Sequence, residues 1–292
     1  MLRLASLACA LALSIHAETA VELLEKKTLS RIAQIDAQLD GVLGVAAIDL
    51  VSGRVLVHNA GTVFPQASSI KIPILVQLFR DARAGRLRLD EKITLTAADA
   101  VGGSGHLRAQ LEKGAVTLTL FELATAMMET SDNTATNRIM AAVGRDRVNR
   151  LLDELGFANT RLQRIMMDTA AAGREQENVS TPMEMARLVE KIYRSEAAHA
   201  EDCSAMVGIM KRVKAEMREA VPAAVDVASK PGSVPGVAAE TGIVFLAHRP
   251  FVLSVMSTFL GEKAGAVRDV TRVVYSHFER LAHSNRYGNR WR

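Results

Sequence analysis

The sequence predicts an α/β (α+β) fold: a five-stranded antiparallel sheet with helices from both termini on one face and an inserted all-helical block on the other. Three observations lead there. Residues 21–40 and 263–283 carry apolar positions at helical spacing. Five short apolar runs bounded by turn residues fall into two groups, one near each end of the chain. Between the groups, from Pro65 to about Val221, helical periods dominate, punctuated by Gly, Pro and Asn.

Each element has its own signal. In the first helix, Leu24, Leu29, Ile32, Ile35 and Leu39 make the apolar stripe, and Gly41 ends it. Gly44–Leu50 and Arg54–His58 flank Val51-Ser52-Gly53 and read as a β-hairpin. The late strands are expected at Val225–Ser229, Gly242–Ala247 and Phe251–Phe259, with His248-Arg249-Pro250 as the last turn. Short loops between consecutive strands favour antiparallel pairing. The helical block, about 64–221, interrupts one unit spanning 18–283, and the cleft between sheet and block is the natural site.

Composition narrows the class. Hydrophobic residues are 49% and charged residues 23% of the chain, which excludes wholesale disorder. The net charge is +4, too mild to argue for nucleic acid. The last 13 residues hold Arg280, Arg286, Arg290 and Arg292 and no acid, so the body is near neutral. The tail, 284–292, reads as a frayed, solvated end or as a patch that adheres to an acidic surface such as anionic lipid or wall polymer.

Met1–Ala17 reads as a secretory signal peptide. Arg3 supplies the positive start, Leu4–Ile15 the apolar stretch and Ala17 a small residue for cleavage. The apolar stretch is too short to span a bilayer. Cleavage removes Cys9, so Cys203 stands alone as a small core residue and no intramolecular disulfide forms. The expectation is a secreted or periplasmic monomer without stable membrane insertion. The seven histidines lack metal-ligand spacing, so no metal or other cofactor is expected; His106, His248 and His277 read as loop or surface residues.

Phe64-Pro65-Gln66-Ala67-Ser68-Ser69-Ile70-Lys71 contains a Ser-x-x-Lys at the start of a helical run. That spacing puts Lys71 one turn after Ser68 on the same face, its amine within reach of the hydroxyl. A desolvated lysine with a lowered pKa can take the serine proton, and helix-start N–H groups can face a developing anion. Ser131-Asp132-Asn133 lies between two helical runs; alone it is a helix cap. Beside Ser-x-x-Lys, its serine can relay a proton and its asparagine can bind a substrate carbonyl. Lys230-Pro231-Gly232-Ser233 follows the first late strand; the lysine can attract an anionic group, and the N–H groups of Ser233 and Ser68 can form an oxyanion hole.

These three elements, in this order and on this arrangement of strands and helices, resemble the class A β-lactamases within the penicillin-binding superfamily. The resemblance covers about residues 25–283 and includes Met128-Glu129-Thr130-Ser131-Asp132-Asn133-Thr134-Ala135-Thr136-Asn137. It implies Ser68 as nucleophile, Lys71 as its basic partner and Ser131 as proton relay. It implies Asn133, Lys230, Gly232 and Ser233 on the substrate side, with a small β-lactam or a cell-wall peptide as partner.

Two positions depart from that family. After Thr160-Arg161-Leu162-Gln163-Arg164-Ile165, Met166 stands where a deacylating glutamate is expected. Asp168 is then a displaced base or a loop-stabilising cap; Glu175 and Glu177 lie later in the loop. Pro231 replaces a Thr or Ser whose hydroxyl helps hold a substrate carboxylate, and Arg249 is the nearest spare cation in sequence. The implied activity is β-lactam hydrolysis through an acyl-serine, slow in deacylation. The alternatives are a D-alanyl-D-alanine carboxypeptidase or esterase on the same fold, and a non-catalytic penicillin-binding sensor. Gly102–Gly105 reads either as a flexible surface loop or as a cleft rim, and Met166 and Met167 are expected to make the cleft more apolar.

Overall fold

The computed structural model describes residues 18–261 and 265–290, so the leader expected at Met1–Ala17 lies outside the described residues. Five strands form one antiparallel sheet: β1 (Val42–Asp49), β2 (Val55–His58), β3 (Val227–Val234), β4 (Val237–Val244) and β5 (Phe251–Thr258). Their order is β2-β1-β5-β4-β3. Both faces are covered, so β1 and β5 are buried along nearly their whole length. Alternation still sorts their side chains. Leu43, Val45 and Ala47 of β1 and Phe251, Leu253 and Val255 of β5 face one core; Ala46, Ile48, Val252 and Met256 face the other.

The first core is closed by the terminal helices, α1 (Ala20–Gln38) and a long C-terminal helix (Val267–Ala282). Ile32 meets Val270, Val274 and Phe278 there, and Phe278 stacks on Phe251 with ring centroids 4.5 Å apart. His277 belongs to the same inward stripe, so the expectation of a surface histidine is overturned. Its Nδ1 shares a 2.9 Å hydrogen bond with Thr28 Oγ1, which ties the two helices together.

The second core is closed by the inserted block. Its longer helices are α2 (Lys71–Arg83), α3 (Leu120–Glu129), α4 (Asn133–Val143), α5 (Arg145–Glu154), α6 (Pro182–Tyr193) and α7 (Ala200–Met210), with single turns at Leu107–Leu111 and Thr169–Ala172; the C-terminal helix is α9, after a short α8 (Glu216–Ala220). Ile72 to Phe79 of α2 are all buried, and Cys203 is buried in α7 as expected. The block is not all-helical. Phe64–Pro65 pairs with Val179–Ser180, and Lys92–Leu95 pairs with Val116–Thr119. Lys-Ile-Thr-Leu alternates exposed and buried, a period-two signal hidden inside a long helical stretch.

Three further expectations change. The first late strand does not stop at Ser229; β3 runs through Lys230-Pro231-Gly232-Ser233 to Val234, and the turn comes at Pro235-Gly236, with Gly236 at φ +77°. Pro231 and Gly232 carry turn chemistry, but β3 is the sheet edge, where a proline is tolerated. Arg249 is not a spare cation: it pairs with the buried Asp49 at 2.6 Å, at the far end of the sheet from Gly232. Nor is the tail frayed over 284–290. Ser284 bridges to Arg290, and Asn285 Oδ1 accepts from the N–H groups of Tyr287 and Asn289, closing a compact turn.

Burial pushes the pKa of His277 down to about 4, so the folded protein keeps it neutral. The unfolded chain takes up the proton first, near its ordinary pKa of about 6.5. Stability is therefore whole above that pH and falls as the pH drops towards about 4, by roughly 2–3 kcal/mol. Urea unfolding at pH 7 and pH 4.5 should show this loss, and His277→Gln should flatten it; an equal pH dependence in the variant would remove His277 from the account.

Candidate active site

Ser68 sits in a short 3₁₀ turn, Ala67–Ile70, that leads straight into α2. Ala67 just before it is held at φ +45°, a left-handed conformation that needs support from its surroundings. The support comes from both sides. Gln66 is fully buried and donates its Nε2–H to Val179 O at 3.1 Å. On the other side β3 lies flat against the turn. A Cβ on Gly232 would stand 2.7 Å from both the Ser68 and Ser69 nitrogens and closer still to Gln66 O, so no side chain fits. Ser69 Oγ donates to Lys230 O at 3.3 Å across the same contact. The edge strand thus carries Gly232 past the backbone of Ser68, with Ser233 next in the strand.

Lys71 is the first residue of α2 and is wholly buried. Its Nζ bonds to Ser131 O at 2.7 Å, Ser131 Oγ at 3.0 Å and Asn133 Oδ1 at 3.0 Å. Burial, helped by the positive Lys230 nearby, lowers its pKa to about 6. Near neutral pH it is an uncharged amine, and such an amine can accept a proton. In this arrangement its hydrogen bonds go to Ser131 and Asn133 and not to Ser68, whose hydroxyl lies one turn away.

The Ser131-Asp132-Asn133 turn is both a cap and part of the site. Asp132 caps α4, and its carboxylate accepts from the N–H groups of Ala135, His106 and Leu107 at 2.8–2.9 Å. That anchorage holds Ser131 at φ +56°. Asn133 Oδ1 accepts from Lys71, and its Nδ2 donates to Gly102 O at 2.9 Å. Gly102–Gly105 is accordingly a rim strapped to this turn. A Cβ on Gly103, at φ +82°, would stand 2.8 Å from Asn133 Nδ2, and one on Gly105, at φ +105°, would strike the Asp132 carboxylate.

Facing that rim is the loop that begins at Arg161. Its base is closed by the Arg161–Val179 bridge, by Asn178, whose side chain accepts from Gln163 N and Arg164 N, and by the Arg164–Glu177 pair at 2.8 Å. Glu177 is thus a latch. Met166 is held at both backbone groups by the Asn137 amide, at 2.8 and 3.1 Å, and its side chain is buried in the core of the block. Met167, left-handed at φ +62° and half exposed, sets its sulfur 3.1 Å from the Cβ position of Gly103, at the rim. Asp168 caps the short helix Thr169–Ala172, its Oδ1 accepting from Ala171 N at 2.9 Å.

Lys230 is almost wholly buried on β3, and burial lowers its pKa to about 8 against the pull of Glu240. Glu240 was not singled out in the sequence. It lies opposite Pro231 in β4 and is buried, accepting from Ser229 Oγ at 2.6 Å and Met217 N at 3.1 Å. Burial raises its pKa to about 7. An acid inside a strand whose neighbours are apolar was the available signal. Among the described residues no three His, Cys, Asp or Glu side chains cluster as metal ligands.

The geometry agrees with comparison to known proteins. A model of the beta-lactamase enzyme family matches residues 26–278. Beta-lactamase AST-1 of Nocardia asteroides is 29% identical over 256 residues, 84% of this chain and 81% of that protein. The crystal structure of beta-lactamase from Sphaerobacter thermophilus superposes with a TM-score of 0.80 at 29% identity, over 87% of this chain and 97% of that one. The structure of PBP-A superposes with a TM-score of 0.78 at 27% identity, over 88% of this chain and 96% of that one, and a PBP-A mutant is also known as an acyl-enzyme complex with penicillin G. With the matched region spanning the sheet, the inserted block and all three motifs, the chain belongs to the beta-lactamase enzyme family and is a serine hydrolase of the β-lactamase type.

Proposed function

We propose that the protein opens β-lactams by forming an acyl-serine at Ser68 and releases the product slowly, as an exported enzyme whose first 17 residues are a leader. The observation that carries the chemistry is the buried Lys71 amine, set between Ser131 and Asn133 one turn after Ser68. Lys71 Nζ takes the Ser68 hydroxyl proton as Oγ attacks the lactam carbonyl. The N–H groups of Ser68 and Ser233 face the oxyanion. As the ring C–N bond breaks, Ser131 Oγ passes a proton from Nζ to the leaving nitrogen. Asn133 receives a substrate amide, and Lys230 attracts the substrate carboxylate in place of the hydroxyl that Pro231 lacks.

Deacylation then needs a base for water, and a methionine at 166 supplies none. Loss of such a base typically costs a factor of about 10²–10⁴. Asp168 as a displaced base competes with its role as a helix cap. The decisive experiment mixes the protein with a fluorescent penicillin and follows adduct and product by mass spectrometry. A long-lived adduct on Ser68 with slow product release is expected, and its absence in both the native protein and Ser68→Ala would sink the reading. Met166 also favours a second reading, a D-alanyl-D-alanine carboxypeptidase or esterase, which release of D-alanine from a cell-wall peptide would support. A purely sensing protein would stop at one equivalent.

Met166→Glu should shorten the adduct lifetime at least tenfold, because the Asn137 clamp presents that position from the loop; an unchanged lifetime would show that water is activated elsewhere. Asp168→Asn keeps the cap and removes the base: slower deacylation marks a base, and unchanged deacylation removes Asp168 from the mechanism. Acylation should be bell-shaped in pH. It rises as Lys71 loses its proton near pH 6 and falls as Lys230 loses its charge near pH 8. A flat profile from pH 5 to 9 would refute the assignment. Gly232→Ala should slow acylation by about 10²-fold, the usual effect of disturbing one oxyanion donor, read as the rate of Ser68 labelling.

A further inference from the structure

A cavity of about 450 Å³ lies at the pole formed by the start of α1 and the folded tail after α9, away from Ser68. It exists because α1 overshoots its partner. The apolar stripe of α1 packs on α9 from Thr28, bonded to His277, onward, and its first turn lies beyond the end of α9 at Ala282. Val21, Leu23 and Leu24 line the cavity together with Leu281 and residues of the folded tail, and Leu23 is 47% exposed among the described residues. Lys27, Arg280 and Arg290 line the same cavity.

The charge at this pole is not neutralised locally. The acids of the first turns are already engaged: Glu22 in the capping box with Thr19, Glu18 with Lys26, and Glu25 with Arg54. Among the described residues, none of Lys27, Arg280 and Arg290 takes part in an ion pair. Beside them Arg286 lies over the ring of Tyr287, which is 73% exposed. An apolar hollow rimmed by cations that form no ion pair among the described residues, with an exposed amphipathic aromatic next to it, matches the chemistry of a bilayer interface.

We propose that this pole docks on an anionic membrane surface, Lys27, Arg280 and Arg290 meeting lipid headgroups while the hollow lined by Val21, Leu23, Leu24 and Leu281 receives acyl-chain carbon. The hollow is what selects a lipid over a wall polymer or other soluble polyanion, since those have charge but no apolar part to bury. Peripheral attachment of this kind leaves the sheet, the block and the Ser68 site unchanged.

The test uses the chain from Glu18, which keeps every described helix and strand, so that residues 1–17 add nothing to membrane affinity. Flotation with phosphatidylglycerol/phosphatidylcholine vesicles should carry the protein, less so as salt rises, and pure phosphatidylcholine vesicles should not. Each cation near an anionic surface contributes about fivefold, so the Lys27→Ala/Arg280→Ala/Arg290→Ala variant should bind about 100-fold more weakly. Leu23→Ser, at a half-exposed position and constant charge, should also weaken binding. Circular dichroism checks folding, so the outcome does not depend on whether Ser68 acylates. Three results overturn the proposal: no binding to anionic vesicles; equal binding to neutral ones; or tight binding to soluble polyphosphate with no effect of Leu23→Ser.

Discussion

A lysine kept out of water is the constraint on which the rest of the molecule depends. Burial takes Lys71 out of water and, with the positive Lys230 nearby, favours the uncharged amine. The amine survives there because Ser131 and Asn133 satisfy it, and those residues stand where they do because Asp132 gathers three backbone N–H groups from two segments. The Gly102–Gly105 rim, the α4 cap and the lysine environment are therefore one network. Loss of any member leaves a buried polar group unpaired, which costs more than the bond itself contributes.

The second constraint is steric. The edge strand β3 crosses the turn bearing Ser68 at a distance only glycine permits, and this brings the two halves of the proposed oxyanion pocket together from residues far apart in the chain. Left-handed residues gather at these contacts: Ala67 before Ser68, Ser131 in the central turn and Met167 on the facing loop. Such conformations persist only where the surroundings over-determine them, and here the core of the block, with Ile70, Ile72 and Met166, packs behind these turns. The inserted block supplies Lys71, Ser131 and Asn133; the sheet supplies Lys230, Gly232 and Ser233. The two contributions meet where β3 crosses the turn bearing Ser68.

At position 166 packing stands where a carboxylate is expected. Met166 occupies the position of the expected glutamate, clamped by Asn137 with its side chain in the core, so the loop keeps its course without the carboxylate. The nearby acids have other duties: Glu177 latches the loop to Arg164, and Asp168 caps a short helix. The proposed slow turnover follows from that distribution of carboxylates rather than from any defect in the acylating group.

The sheet, the terminal helices and the three motifs were legible because they rest on local signals: periodicity, turn residues and fixed spacings. The sequence misled where tertiary contact overrides local chemistry. Lys230-Pro231-Gly232 reads as a turn yet continues a strand, because an edge can spare an N–H and because that glycine is needed against Ser68. Arg249 reads as a free cation yet serves buried Asp49, and His277 reads as a surface residue yet lies on the inward stripe of α9. The sequence alone determined which chemical groups are present and in what order. Only the tertiary structure decided which of them share an environment, because burial, the quantity that sets the Lys71 pKa and the need for Gly232, belongs to no single stretch of chain.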